Sequence, residues 1–168
     1  LSSSSAASDV YKRQYIYFRL KHMETLKIVI SEYKLAPTRG TPSAAGLDLY
    51  CAESVTILPG GKSIIDTGVK LALPHGTYGR VAGRSGASYT KHFVIAGGVI
   101  DSDYRNNIKI IVFNIGKEPI KIEKYSSIAQ LIVERIYLPD LEFVEELPET
   151  ERNYKEVIDI AHTELGYF

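Results

Sequence analysis

The chain has 168 residues, with 20 basic and 20 acidic side chains, 45% hydrophobic content and 24% charged content. That length and balance suit one globular domain with a sizeable core. The zero net charge gives no bulk attraction to nucleic acid. Cys51 is the only cysteine, so no internal disulfide forms and a reducing compartment is allowed. No apolar run reaches the roughly 18 residues of a membrane span, so neither nucleic acid nor membrane is expected as a partner. His22, His75, His92 and His162 are scattered, which argues against a structural zinc site.

Residues 1–22 begin with the low-complexity run Leu1-Ser2-Ser3-Ser4-Ser5-Ala6-Ala7-Ser8 and are expected to be disordered. They lack the apolar stretch of a signal peptide. Met23 is the only methionine and stands just before the first strand-like run, so the natural chain is expected to start there, with residues 1–22 artefactual. A short transit segment is the alternative, since Lys12, Arg13, Arg19 and Lys21 are opposed only by Asp9. Strand-like runs then follow: Leu26–Ile30, Ser54–Leu58 before the turn Pro59-Gly60-Gly61, Lys62–Ile65, Val69–Leu73 and Tyr78–Ala82. Ser85–Lys91 reads as the one short helix. Ile108–Ile115 is almost wholly apolar and β-branched, which predicts a strand buried on both faces. Ile128–Leu138 is the last long run. Strands about ten residues apart, with Gly and Pro between them, predict an all-β barrel or jelly roll. From Asp140 onward nine acidic residues face only Arg152 and Lys155, which reads as a solvated tail.

The most informative stretch is Gly97-Gly98-Val99-Ile100-Asp101-Ser102-Asp103-Tyr104-Arg105, with Gly83-Arg84-Ser85-Gly86 upstream. Two glycines open a tight turn and two β-branched residues follow. That order suits a hairpin whose backbone can approach a flat ligand, and it offers a carboxylate to handle a water. An Arg-Ser-Gly triplet brings planar charged donors, a hydroxyl and an unobstructed amide, a set suited to phosphate.

Taken in order, these segments resemble the trimeric dUTP pyrophosphatases over about residues 25–152. Ala45-Gly46-Leu47-Asp48-Leu49-Tyr50, preceded by Ala36-Pro37-Thr38-Arg39-Gly40, resembles the first motif of that family. Gly83-Arg84-Ser85-Gly86 resembles the second, with Gly83 in place of a proline. Gly97–Arg105 is similar to the third. Ile128-Ala129-Gln130-Leu131 resembles the fourth, preceded by Tyr125-Ser126-Ser127 where the family carries Gly-Asp-Arg. Thr150-Glu151-Arg152 opens the fifth, but Asn153–Asp159 follows without the family's glycine cluster and phenylalanine.

The resemblance implies a jelly-roll β-barrel with one short helix, assembled as a homotrimer whose active sites are shared between subunits. It implies hydrolysis of dUTP to dUMP and pyrophosphate with Mg²⁺. In that scheme Asp101 orients the attacking water, and Arg84, Ser85 and Gly86 meet the phosphates. Gly98, Val99 and Ile100 present backbone groups to uracil, and Lys109 contributes by its backbone. Tyr104 lies against the deoxyribose and Arg152 reaches the γ-phosphate. Asp48 and Gln130 hold the waters of the metal. The expected organisation is an N-terminal segment 1–22, a barrel domain 23–139 and an acidic arm 140–168. The arm reads either as a frameshifted, intron-retaining or chimeric end, or as a divergent one. A catalytically impaired trimer that binds nucleotide or a partner is the alternative function. A deoxycytidine triphosphate deaminase of the same fold lacks a recognisable signature here. A cytoplasmic or nuclear location is expected.

Overall fold

The computed structural model describes residues 25–150, so the expectations for residues 1–22, Arg152 and the rest of the tail lie outside the described residues. Those up to Tyr137 form one compact unit, and 138–150 belong to a second. The first is built almost entirely from strands: β1 (Lys27–Ile30), β2 (Leu47–Tyr50), β3 (Val55–Ile57), β4 (Lys62–Asp66), β5 (Val69–Ala72), β6 (Thr77–Gly83), β7 (Phe93–Ala96), β8 (Val99–Ile100), β9 (Lys109–Asn114), β10 (Ile120–Ile122) and β11 (Ser127–Arg135). One α-helix, α1 (Ser85–Lys91), matches the sequence expectation, and a single 3₁₀ turn covers Tyr33–Leu35.

All strand pairs are antiparallel, in four small sheets ordered β1-β5, β10-β3, β2-β11-β6-β8 and β4-β9-β7. Sequence neighbours are mostly not sheet neighbours, as a jelly roll requires. The inner faces meet in one apolar cluster that includes Leu49, Ile65, Phe93, Ile110, Ile122 and Leu131. Each such side chain contributes about 1.5–3 kcal/mol by leaving water. Asn114, buried in this core, donates its amide to the carbonyls of Ile57 (2.9 Å) and Glu118 (2.8 Å) and accepts from the Gly116 N–H (2.9 Å). It thereby ties the β9–β10 turn to β3.

Two sequence expectations change. The run Ile108–Ile115 is not buried on both faces. In β9, Ile110, Val112 and Asn114 are buried, Ile111 and Phe113 only half-buried, and Lys109 exposed. The cause is that β9 is the middle strand of an antiparallel sheet with only one face on the core, so its apolar composition does not override the two-residue period. The last strand stops at Arg135, leaving Tyr137 exposed beyond it.

The four-stranded sheet positions the motif residues. Asp48 on β2 faces Gln130 on β11, Gln130 faces Ala82 on β6, and Arg80 on β6 faces Val99 on β8. The described residues 138–150 carry no regular element and expose Leu138, Leu141, Phe143, Val144 and Leu147.

Candidate active site

A polar cleft of about 370 Å³ opens beside this sheet, lined by Gly40, Thr41, Ala44, Gly46, Asp48, Arg84, Ser85, Gly86, Ala87 and Gln130. Its floor is set by strand register. The Asp48 carboxylate receives the Arg84 Nε at 3.1 Å, with the aspartate side chain 20% exposed and the arginine 42%. Arg84 also donates from Nη1 to the Ser127 carbonyl (3.1 Å), and its own N–H donates to the Ile128 carbonyl (3.1 Å). Gln130 donates its amide to the Gly83 carbonyl at 3.3 Å, which orients the side chain across the sheet. A β-carbon on Gly46 would collide with the Gln130 side-chain oxygen, so this glycine lets the glutamine lie flat against β2. After Arg84 the chain turns straight into α1, whose first residues, Ser85 and Gly86, are exposed at the cleft.

Tyr125-Ser126-Ser127 shapes the turn that feeds β11. Tyr125 adopts a left-handed conformation (φ 66°), a state that costs a non-glycine residue about 1–2 kcal/mol. Compensating contacts surround it. Its hydroxyl donates to Glu32 Oε2 (2.6 Å), Lys124 pairs with Glu32 (2.8 Å), and the Lys34 and Lys124 ammoniums lie 5.3 and 4.8 Å from its ring centre. Hydrogen bonds from Lys124 and then Tyr125 hold the Glu32 carboxyl below its ordinary range. The outcome for the cleft is a Ser127 carbonyl placed where Arg84 can use it.

The third motif forms a short strand and a turn, not the hairpin its sequence suggested: β8 pairs only with β6, and no strands pair across the Asp101–Tyr104 turn. Gly97 and Gly98 both have positive φ, and the Gly98 carbonyl accepts the Val81 N–H at 2.8 Å. A side chain on Gly98 would run into the Val81 carbonyl, so only glycine lets β8 begin this close to β6. Ile100 is buried and Val99 exposed. Asp101 is exposed, and its carbonyl closes a turn by accepting the Tyr104 N–H (3.1 Å). Tyr104 is half-buried against the core, with its hydroxyl donating to the Asn107 carbonyl at 3.1 Å. Arg105 turns back onto the carbonyls of Ser102 and Tyr104.

The motif residues therefore fall into two groups within one chain. Asp48, Arg84, Ser85, Gly86 and Gln130 share the cleft. Gly98, Val99, Ile100, Asp101 and Tyr104 share the β8 strand and its turn, Lys109 opens β9 with an exposed side chain, and none of these six lines the cleft. A larger cleft of about 620 Å³, between Thr90–His92 and residues 115–121, contains none of the motif residues. Sequence reading missed Thr41 as a cleft wall and the side-chain support that Asp66 and Asn107 give the third-motif turn. Neither type of role leaves a local motif.

A jelly-roll barrel with an arginine–carboxylate cleft and, outside it, a glycine-opened, aspartate-bearing turn defines a protein equipped to hold an anionic ligand. The chain belongs to the dUTPase family, whose model matches residues 32–158. It is 48% identical to the deoxyuridine 5'-triphosphate nucleotidohydrolase of Mus musculus over 153 residues, 90% of this chain and 91% of that protein. It is 52% identical to the mitochondrial enzyme of the same name from Homo sapiens over 124 residues, 73% of this chain and 49% of that protein, so it spans about half the human relative. Among solved structures, a mutant dUTPase of Staphylococcus bacteriophage 80alpha with dUpNHpp superposes with a TM-score of 0.70 at 31% identity, covering 76% of this chain and 93% of that one. A mutant dUTPase from phage phi11 of S. aureus, whose structure describes coordination of a structural Mg(II) ion, gives a TM-score of 0.69 at 28% identity, covering 74% and 99%.

Proposed function

We propose that this chain hydrolyses dUTP to dUMP and pyrophosphate, and that the two groups of motif residues are the two halves of the site. The observation that carries this reading is the convergence of Asp48, Arg84, Ser85, Gly86 and Gln130 on one cleft in a member of the dUTPase family. Water attacks the α-phosphorus and the pyrophosphate leaves. Asp101 orients that water, most of its effect being positional, because a carboxylate is a weak base. Arg84 and the Ser85 hydroxyl meet phosphate oxygens, and the Gly86 amide offers an unobstructed donor. Arg152, outside the described residues, is assigned to the γ-phosphate.

Backbone groups at Gly98, Val99, Ile100 and Lys109 read the uracil edge. A base with the opposite donor pattern leaves buried groups unpaired, which rejects it by roughly 10⁴-fold or more. Tyr104 lies against the deoxyribose and leaves no room for a 2′-hydroxyl.

The cleft offers one carboxylate and one amide oxygen, and no group of three or more metal-ligating side chains occurs among the described residues. That donor set fits Mg²⁺, which keeps most of its waters and binds chiefly to substrate phosphates. Asp48 and Gln130 would hold those waters, and the ion would supply charge neutralisation for the triphosphate.

The reading includes a homotrimer that shares its sites between subunits. Support comes from the outer face of the β4-β9-β7 sheet. There Ile64 pairs with Ile111, which pairs with Ala96, and Phe113 sits between Lys62 and Val94. Ile64 is 59% exposed and Val94 43%, an apolar face of the kind that buries against another copy. Pyrophosphate release from dUTP, dCTP, dTTP and UTP, assayed in parallel with Mg²⁺, tests the proposal. Release from dUTP alone is expected. Nucleotide binding without release, or release from dCTP at an equal rate, would overturn it.

A further inference from the structure

Asp66 and Asn107 lie outside every motif, yet they connect the third-motif turn to the barrel. Asp66 ends β4, and Asn107 sits between Arg105 and β9. Both are half-buried. The Asn107 Nδ2 donates to Asp66 Oδ2 at 3.1 Å, while Asp66 Oδ1 accepts the Gly68 N–H at 2.6 Å. One carboxylate oxygen thus fixes the β4–β5 turn, and the other fixes the segment that leaves the third-motif turn. The same two segments are laced by the Thr67 hydroxyl and N–H on the Ile108 carbonyl (2.8 and 3.1 Å) and by the Ile108 N–H on the Val69 carbonyl (2.8 Å). At the other end of Asn107, its carbonyl accepts the Tyr104 hydroxyl at 3.1 Å, and the Tyr104 N–H closes the Asp101 turn.

We propose that Asp66, acting through Asn107, is a positioning residue for Tyr104 that sets how closely the tyrosine ring approaches the sugar and hence how well ribose is rejected. The proposal rests on Tyr104 being the sugar contact. Its physical basis is donor–acceptor matching. An ionised carboxylate only accepts, so it satisfies the Gly68 N–H and the Asn107 amide together. An aspartate at position 107 has no donor in either orientation, so it meets the Asp66 carboxylate acceptor to acceptor and with like charge. The Asn107 side-chain tether is then lost while Ile108 stays laced to Thr67 and Val69, so the shift falls on the turn that supplies the tyrosine hydroxyl's acceptor.

The test compares kcat/KM for dUTP and for UTP, with a thermal melt, in four variants. Asn107→Asp should lower the dUTP-to-UTP ratio about tenfold, the scale on which small misplacements act. Asn107→Ala deletes the same bond without touching the Gly68 turn and should lower the ratio equally. Asp66→Asn combined with Asn107→Asp reverses donor and acceptor and should restore much of the ratio. Tyr104→Ala is the control for the underlying assignment and should lower the ratio on its own. If Tyr104→Ala shifts the ratio while Asn107→Asp and Asn107→Ala only lower the melting temperature, the positioning role is overturned and the sugar contact stands. If Tyr104→Ala leaves the ratio unchanged, the sugar contact falls and the positioning role with it.

Discussion

In the proposed mechanism Asp101 positions the attacking water, a role that its surroundings in the chain do not reveal. Its side chain is exposed, and its backbone is pinned by the turn to Tyr104. Asp101→Asn keeps the shape and removes the group that orients water. Turnover should fall by about 10²–10⁴-fold while the Michaelis constant for dUTP barely moves. Steady-state kinetics checks this, and near-wild-type turnover would strip Asp101 of the role. Gly46 makes the complementary case. As part of Ala45-Gly46-Leu47-Asp48 it was legible as a motif, but its reason was not. That reason is the Gln130 side chain lying across the β2–β11 pair, which depends on register rather than on neighbouring residues. Gly46→Ala forces Gln130 aside at a cost of about 1–3 kcal/mol. The Mg²⁺ concentration for half-maximal activity should rise with it, as a metal titration beside a thermal melt can read. An unaltered metal requirement in a destabilised variant would detach Gln130 from the metal.

At the scale of elements, the helix Ser85–Lys91 and the strands with obvious turns at their ends were legible. The short strands β2, β7 and β10 were not, and β8 was read as part of a hairpin, because two to four residues carry too little alternation to stand out. Nor was the half-open character of β9, since composition reports apolarity and only pairing reports which face is covered. Between β6 and β11, the register brings Tyr78 and Arg80 onto Glu134. The Arg80 guanidinium grips the carboxylate (2.7 Å), the Tyr78 hydroxyl donates to it, and the Glu134 carboxyl is driven down to about 2. A carboxyl with a lowered folded pKa stabilises the fold above its ordinary value near 4.5 and loses that contribution as pH falls toward the folded value. The difference in melting temperature between the native chain and Glu134→Gln should therefore be constant above pH 4.5 and close progressively as the pH approaches 2. A gap that persists unchanged to the lowest pH would assign the effect to packing. Salt should also narrow the gap, because the cluster is open to water.

For the molecule as a whole, the outer face of β4-β9-β7 is the feature that composition concealed most fully. Ile111 and Phe113 read as core residues in the sequence, yet they and Ile64 face away from the barrel's own interior. Phe113→Glu places a charge in the middle of that face. It should reduce the proposed trimer to monomers in sedimentation or light scattering while leaving the barrel's circular dichroism intact. A variant that keeps the native mass would place the subunit contact elsewhere. The separation of the motif residues into a cleft group and a third-motif group also bears on inheritance. A chain damaged only at Asp101 and a chain damaged only at Arg84 each retain one sound half-site. If the trimer proposed above joins the third-motif turn of each subunit to the cleft of one neighbour, the two dead chains, unfolded together and refolded at equal amounts, should regain activity at about a quarter of their sites. Two defective alleles in one cell would then complement each other, whereas two defects in the same half-site never would.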